Sequence, residues 1–153
     1  MGIVNLGFID IPYGLVTITD PYKSKGDSLR LDDVKVKPGL YTCEYFVRRL
    51  SNVVSMMRIS HVDIDYSKTT RTVPMRFKNI ETTEGISGFQ VSPVLTDQLE
   101  IYLRYKGFPE ITRGVIFDNG FYCQSGRGSG FYSVDYKKSR ITNEIVELRV
   151  LFL

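Results

Sequence analysis

Apolar and polar residues alternate along most of this chain, the pattern of β-strands that turn one face to a core. In Leu15–Thr19, Val16 and Ile18 alternate with Thr17 and Thr19 and predict a strand. A shorter strand is expected around residues 3–8, in a stretch broken by Gly2, Gly7, Pro12 and Gly14. Residues 40–49 set Tyr41, Cys43, Tyr45 and Val47 on one face and Thr42, Glu44 and Arg48 on the other, with Phe46 interrupting the polar face. Val73, Met75 and Phe77 alternate with Arg76 and Lys78. Ile86–Val91 reads as a weaker strand, and residues 111–117 as another. Val146, Leu148, Val150 and Phe152 alternate with Glu147 and Arg149, which ties the last segment into a sheet.

Residues 55–66 change phase. Met57 and Ile59 share one parity, and Val62, Ile64 and Tyr66 the other. A β-bulge near Ser60 and His61 would reconcile them in one long strand. Asp20-Pro21, Lys37-Pro38-Gly39 and Asp118-Asn119-Gly120 read as turns. Residues 22–28, 67–72, 81–85 and 137–143 read as polar loops, and 51–54 as a connection.

One segment has helical character. Ser92 suits an N-cap and Pro93 the first helical position; Gly107 suits the position after the end. Leu95, Leu99, Tyr102 and Leu103 form its apolar stripe. The expected fold is therefore α+β: a single domain of mostly antiparallel sheet with one principal helix near residues 93–106.

Composition strengthens the β component. Alanine and tryptophan are absent, while the chain holds 10 Tyr and 9 Phe. The net charge of +3 is too small to imply nucleic acid by itself. Cys43 and Cys123 sit in alternating apolar runs, as buried thiols do. No stretch has the length of a membrane span or the form of a signal peptide, and a cytoplasmic protein is the expectation.

The chemistry centres on residues 114–136. Gly126, Gly128 and Gly130 alternate around Arg127 and Ser129, with aromatic residues on both sides. Freed backbone N–H groups and Arg127 could form an anion nest; a hairpin loop or glycine bulge is the plain alternative. Neither a dinucleotide fingerprint nor a phosphate-binding P-loop is present. Tyr22, Tyr66, Tyr122 and Tyr136 near basic residues resemble the stacking platforms of single-strand binders, or are core aromatics. The candidate binding residues are Arg127, Ser129, Tyr122, Tyr132, Lys137 and Lys138. Asp63 and Asp65 would share a strand face, and His61 is the lone histidine; solvated and structural roles fit them better than catalysis. No metal spacing appears, and no cofactor is expected.

Four short motifs carry a resemblance: Thr19-Asp20-Pro21, Pro38-Gly39-Leu40-Tyr41, Arg58-Ile-Ser-His-Val62 and Ser125-Gly-Arg-Gly-Ser-Gly-Phe-Tyr132. Together they resemble a domain-of-unknown-function family of bacteria and phages. Arg127 stands where that family has an aromatic residue, and Ser129 where it has Asp. The resemblance implies a β-rich domain and no activity.

The functional expectation is a non-enzymatic interaction module that binds another protein or itself. The alternative is a nucleotide or single-stranded nucleic-acid binder using the glycine loop and nearby basic residues. At least one loop glycine should take positive φ, and Tyr132 and Val134 should point inward.

Overall fold

The computed structural model describes residues 2–20, 30–51, 53–82, 86–91, 113–117, 119–124, 128 and 130–152. About 70% of them lie in strands and 3% in one 3-10 turn, so the fold is nearly all β and the α+β expectation is corrected. The helix expected at 93–106 falls outside the described residues. The strands are β1 (Gly2–Ile11), β2 (Leu15–Thr19), β3 (Leu31–Lys35), β4 (Gly39–Val47), β5 (Val54–His61), β6 (Val73–Thr82), β7 (Ile86–Val91), β8 (Gly114–Phe117), β9 (Gly120–Gln124), β10 (Gly130–Lys138) and β11 (Ile145–Leu151).

They form two antiparallel sheets. One has six strands in the order β1-β4-β5-β11-β10-β6; the other has five, β3-β2-β7-β9-β8. Contacts of β1 with β8, β5 with β9, and β6 with β2 and β3 stack the sheets face to face. The alternating faces meet in one core, where Ile9, Ile18, Tyr41, Met57, Ile59, Phe89, Phe121 and Leu148 are fully buried. Each such side chain contributes roughly 1.5–3 kcal/mol of burial. Phe89 stacks on Phe121 at 6.3 Å, and Tyr132 meets Phe152 edge-on at 5.1 Å. Tyr132 and Val134 both point inward.

Two junctions lock the layers. Asn119, at φ 55°, closes the β8–β9 turn. Its side-chain amide donates to the Asp10 carbonyl at 2.6 Å, and its oxygen accepts the Asp10 N–H at 2.8 Å. The amide thus pairs with β1 as a neighbouring strand would. The glycine loop is the second junction. It joins β9 of one sheet to β10 of the other, so it is a crossover between sheets and not a hairpin. Gly128 takes φ 79°, and its carbonyl accepts the hydroxyls of Tyr132 (2.7 Å) and Thr82 (3.2 Å).

The long strand expected over 55–66 stops at His61. A turn follows, with Ile64 N–H on the His61 carbonyl at 3.1 Å, so the phase change marks a strand end and not a bulge. His61 Nδ1 accepts the Asp63 N–H at 3.1 Å, which makes Nε2 the protonated nitrogen, donating to the Pro38 carbonyl at 2.9 Å. That ring rests on Gly39, which has φ 131°; a Cβ there would lie 2.7 Å from Nε2. β6 runs on through Thr82, two residues into the expected 81–85 loop.

Gly39→Ala is therefore expected to cost roughly 1–3 kcal/mol, from backbone strain and displacement of His61. Gly128→Ala, with nothing within 4 Å of the new carbon, should cost only about 1 kcal/mol. Denaturant unfolding of both variants measures the difference; an unaffected Gly39→Ala would contradict this packing.

Candidate functional site

The predicted binding residues do not gather at one place. Arg127 and Ser129 lie outside the described residues. Tyr132 is buried and holds Gly128. Tyr122 is buried as well. Its ring lies over Gly88, its cross-strand partner, and Gly120; a Cβ on either would come within 2.5 Å of a ring or hydroxyl atom. Neither ring is offered to a ligand. Lys137 and Lys138 end β10, seven and eight residues beyond Gly130. At about 3.3 Å per residue, some 26 Å of strand separates them from the glycine loop.

The outer face of the six-stranded sheet carries a charged network that alternation alone did not reveal. Register sets Glu44, Arg58, Arg149 and Asp135 side by side on β4, β5, β11 and β10. Two arginines directly opposite each other repel. Glu147, two residues along β11, offsets this from a site only 1% exposed. Its Oε1 lies 3.8 Å from Arg58 Nε, and its Oε2 lies 3.9 Å from Arg149 Nε. Oε1 also accepts the Ser60 hydroxyl at 3.0 Å and the Tyr66 hydroxyl at 2.8 Å. Arg58 donates to Glu44 at 3.1 Å and stands 4.9 Å over the Phe46 ring; Arg149 donates to Thr72. Phe46, which broke the polar pattern, is thus covered by a guanidinium. Burial raises the Asp135 carboxyl above its usual range, while Arg149 pulls it down.

Tyr66 opens a 3-10 turn, Tyr66–Lys68, capped by Asp65, whose carboxylate accepts the Ser67 N–H at 3.0 Å. The Ser67 hydroxyl donates to the same oxygen at 2.6 Å and holds the Asp65 carboxyl below its usual range. Asp63 and Asp65 therefore lie in a turn and share no strand face. Burial chiefly raises the Tyr66 hydroxyl, so it remains a donor to Glu147 at neutral pH. The following residues dock on the end of β10. Thr69 bridges Ser139, Thr70 N–H donates to the Lys138 carbonyl at 2.9 Å, and Arg140 N–H donates to the Lys68 carbonyl at 2.8 Å. Lys137 Nζ stands 5.5 Å from the Tyr66 ring, and Lys138 Nζ 5.7 Å from Tyr136.

Among the described residues no three of His, Cys, Asp and Glu come together as a metal-holding group. No helix among them is long and apolar enough to cross a membrane. Cys43 and Cys123 are free and fully buried. Burial pushes the Cys43 thiol up to about 12 and the Cys123 thiol well above its ordinary value. Both should resist alkylation in the native protein at pH 8 and react on unfolding; fast native labelling would contradict their burial.

Glu147→Ala is expected to cost about 3 kcal/mol, because two facing, largely buried guanidinium groups lose the carboxylate they share and, among the described residues, only Arg58 keeps an ion pair, to Glu44. Asp63→Ala should stay within about 0.5 kcal/mol. Equal costs for the two variants, read by denaturant unfolding, would contradict the central role of Glu147.

Compared with protein-family models, with curated proteins and with solved structures, the chain has no match.

Proposed function

We propose that this chain is a non-enzymatic protein-interaction module that presents the edge of β1 to an extended strand, in the first instance β1 of a second copy. The observation that carries the reading is the character of that edge. β1 is a ten-residue border strand whose one charge is Asp10. Native edges are usually blunted by charge, proline or short length. Among the described residues, a bulge at Asn5–Gly7 and the Asn119 amide at Asp10 protect parts of the strand. Ile3 and Phe8, each 58% exposed, lie opposite Phe46 and Thr42 on the same outer face. Leu40 and Val62 extend the apolar surface beside Phe8, since the Val62 N–H donates to the Leu40 carbonyl at 3.0 Å. Two copies of β1 paired about a two-fold axis can set Ile3 of one against Phe8 of the other, and strand addition of this kind is a common mode of protein recognition.

Sedimentation at rising protein concentration, with and without a peptide spanning residues 2–11, tests the proposal. The chain should self-associate and the peptide should compete. Phe8→Lys and Ile3→Lys should each weaken association about tenfold or more while the melting temperature holds. A chain that stays monomeric and ignores the peptide would remove the β1 reading. Turnover of a nucleotide, ester or peptide substrate, abolished by one substitution, would remove the non-enzymatic reading.

A further inference from the structure

A second surface, four strands away from β1 and about 19 Å across the sheet, has a different chemistry. Residues 66–72 and 136–142 are brought together by the Thr69–Ser139 bridge and the hydrogen bonds of Thr70 and Arg140. These fourteen residues hold Lys68, Arg71, Lys137, Lys138 and Arg140, and no Asp or Glu. The remainder of the chain then has fifteen cations against seventeen acids, so the net positive charge of the protein resides at this junction. Lys68, Arg71 and Arg140 are exposed. Of the acids at its border, Asp65 is engaged with Ser67, and Glu147, opposite Lys137, is buried and accepts the Ser60 and Tyr66 hydroxyls; the Glu144 backbone carbonyl closes the neighbouring turn by accepting the Ser139 N–H at 2.9 Å.

We propose that this junction binds single-stranded nucleic acid, with Lys68, Arg71, Arg140 and Lys137 along the phosphates and Tyr66 as the stacking ring; Lys138 turns to the other face of β10, over Tyr136. The ring makes the difference between a strand-binding surface and a merely basic one. Tyr66 is 51% exposed, yet its hydroxyl is fixed on Glu147 at 2.8 Å. An anchored, half-open ring can stack a base with little loss of its own freedom, and every base offers a flat face to it. Lys137 Nζ stands 5.5 Å over one face of that ring, so a base stacks on the other face with the lysine charge close to its phosphate. The hydroxyls of Thr69, Thr70 and Ser139 hold the junction itself: Thr69 donates to the Tyr66 carbonyl at 3.1 Å, Thr70 Oγ1 accepts the Lys138 N–H at 3.1 Å, and Ser139 Oγ accepts the Ile141 and Thr142 N–H groups at 3.2 Å.

Fluorescence anisotropy with labelled oligo-dT and oligo-rU tests this. Affinity should fall roughly 50-fold between about 50 and 200 mM salt, as about four phosphate contacts on a single strand require. Tyr66→Ala should weaken oligonucleotide binding fivefold or more while leaving heparin binding unchanged. Because Tyr66→Ala also removes a bond to Glu147, a second variant is needed: Lys68→Glu with Arg140→Glu, at exposed positions, should abolish oligonucleotide binding with the fold intact. No oligonucleotide binding at low salt would overturn the proposal. So would equal losses for oligonucleotide and heparin in Tyr66→Ala, which mean a general polyanion surface, or binding only to vesicles of anionic lipid.

Discussion

The burial of one carboxylate between two arginines governs much of this structure. Pairing of β5 with β11 sets Arg58 opposite Arg149. Glu147 supplies the charge that makes this register tolerable, and it does so where water is nearly excluded. Charge more than hydrogen bonding holds the group together: Glu147 Oε2 and the Arg58 and Arg149 Nε atoms are buried without hydrogen bonds, at ion-pair distances of 3.8 and 3.9 Å, so losing any one charge is costly and the members constrain one another. Ser60 and Tyr66 complete the shell around Oε1. The Tyr66 bond carries the constraint outward, because the 3-10 turn and the segment after it must then cross toward β10. Lys68 and Arg71 reach Lys138 and Arg140 by that route. The chain of cause runs from strand register, through a buried charge, to the composition of a surface.

Much of the sheet was legible in the sequence. Strands β2 and β11 follow clean alternation, β4 does so apart from Phe46, β7 reads only as a weaker strand, and β8 and β9 flank the turn that Asn119 closes. The inward pointing of Tyr132 and Val134 followed from parity, and the positive φ of Gly128 from the needs of a tight connection. These are local signals: period two, turn chemistry and glycine.

What the chain hid was non-local. The phase change after Ser60 suits a bulge or a strand end, and only the approach of Pro38 and Gly39 to His61 decides between them. Tyr122 looked available on its strand; its burial depends on Gly88, a residue of another strand that leaves room for the ring. Glu147 sat at a polar position of an alternating strand, and alternation cannot say that Tyr66 will cover it. The glycine loop and the lysine pair looked adjacent because β10 is short in sequence, although an extended strand holds its ends far apart. Tyr66 is one of several aromatic residues near basic ones in the sequence; its place beside Lys137, seventy-one residues away, requires the assembled sheet.

The central claim is that the Tyr66–Glu147 bond holds residues 66–72 on the end of β10. Amide hydrogen exchange of Tyr66→Phe measures it directly, because the variant deletes the hydroxyl and keeps the ring. The account predicts that protection of the Thr70 and Arg140 amides falls about tenfold, the scale of one hydrogen bond to a charged group. Amides at Ile59 and Val150, in the sheet beneath, should keep their protection. Unchanged exchange at Thr70 and Arg140, or a loss spread evenly over the sheet, would contradict it.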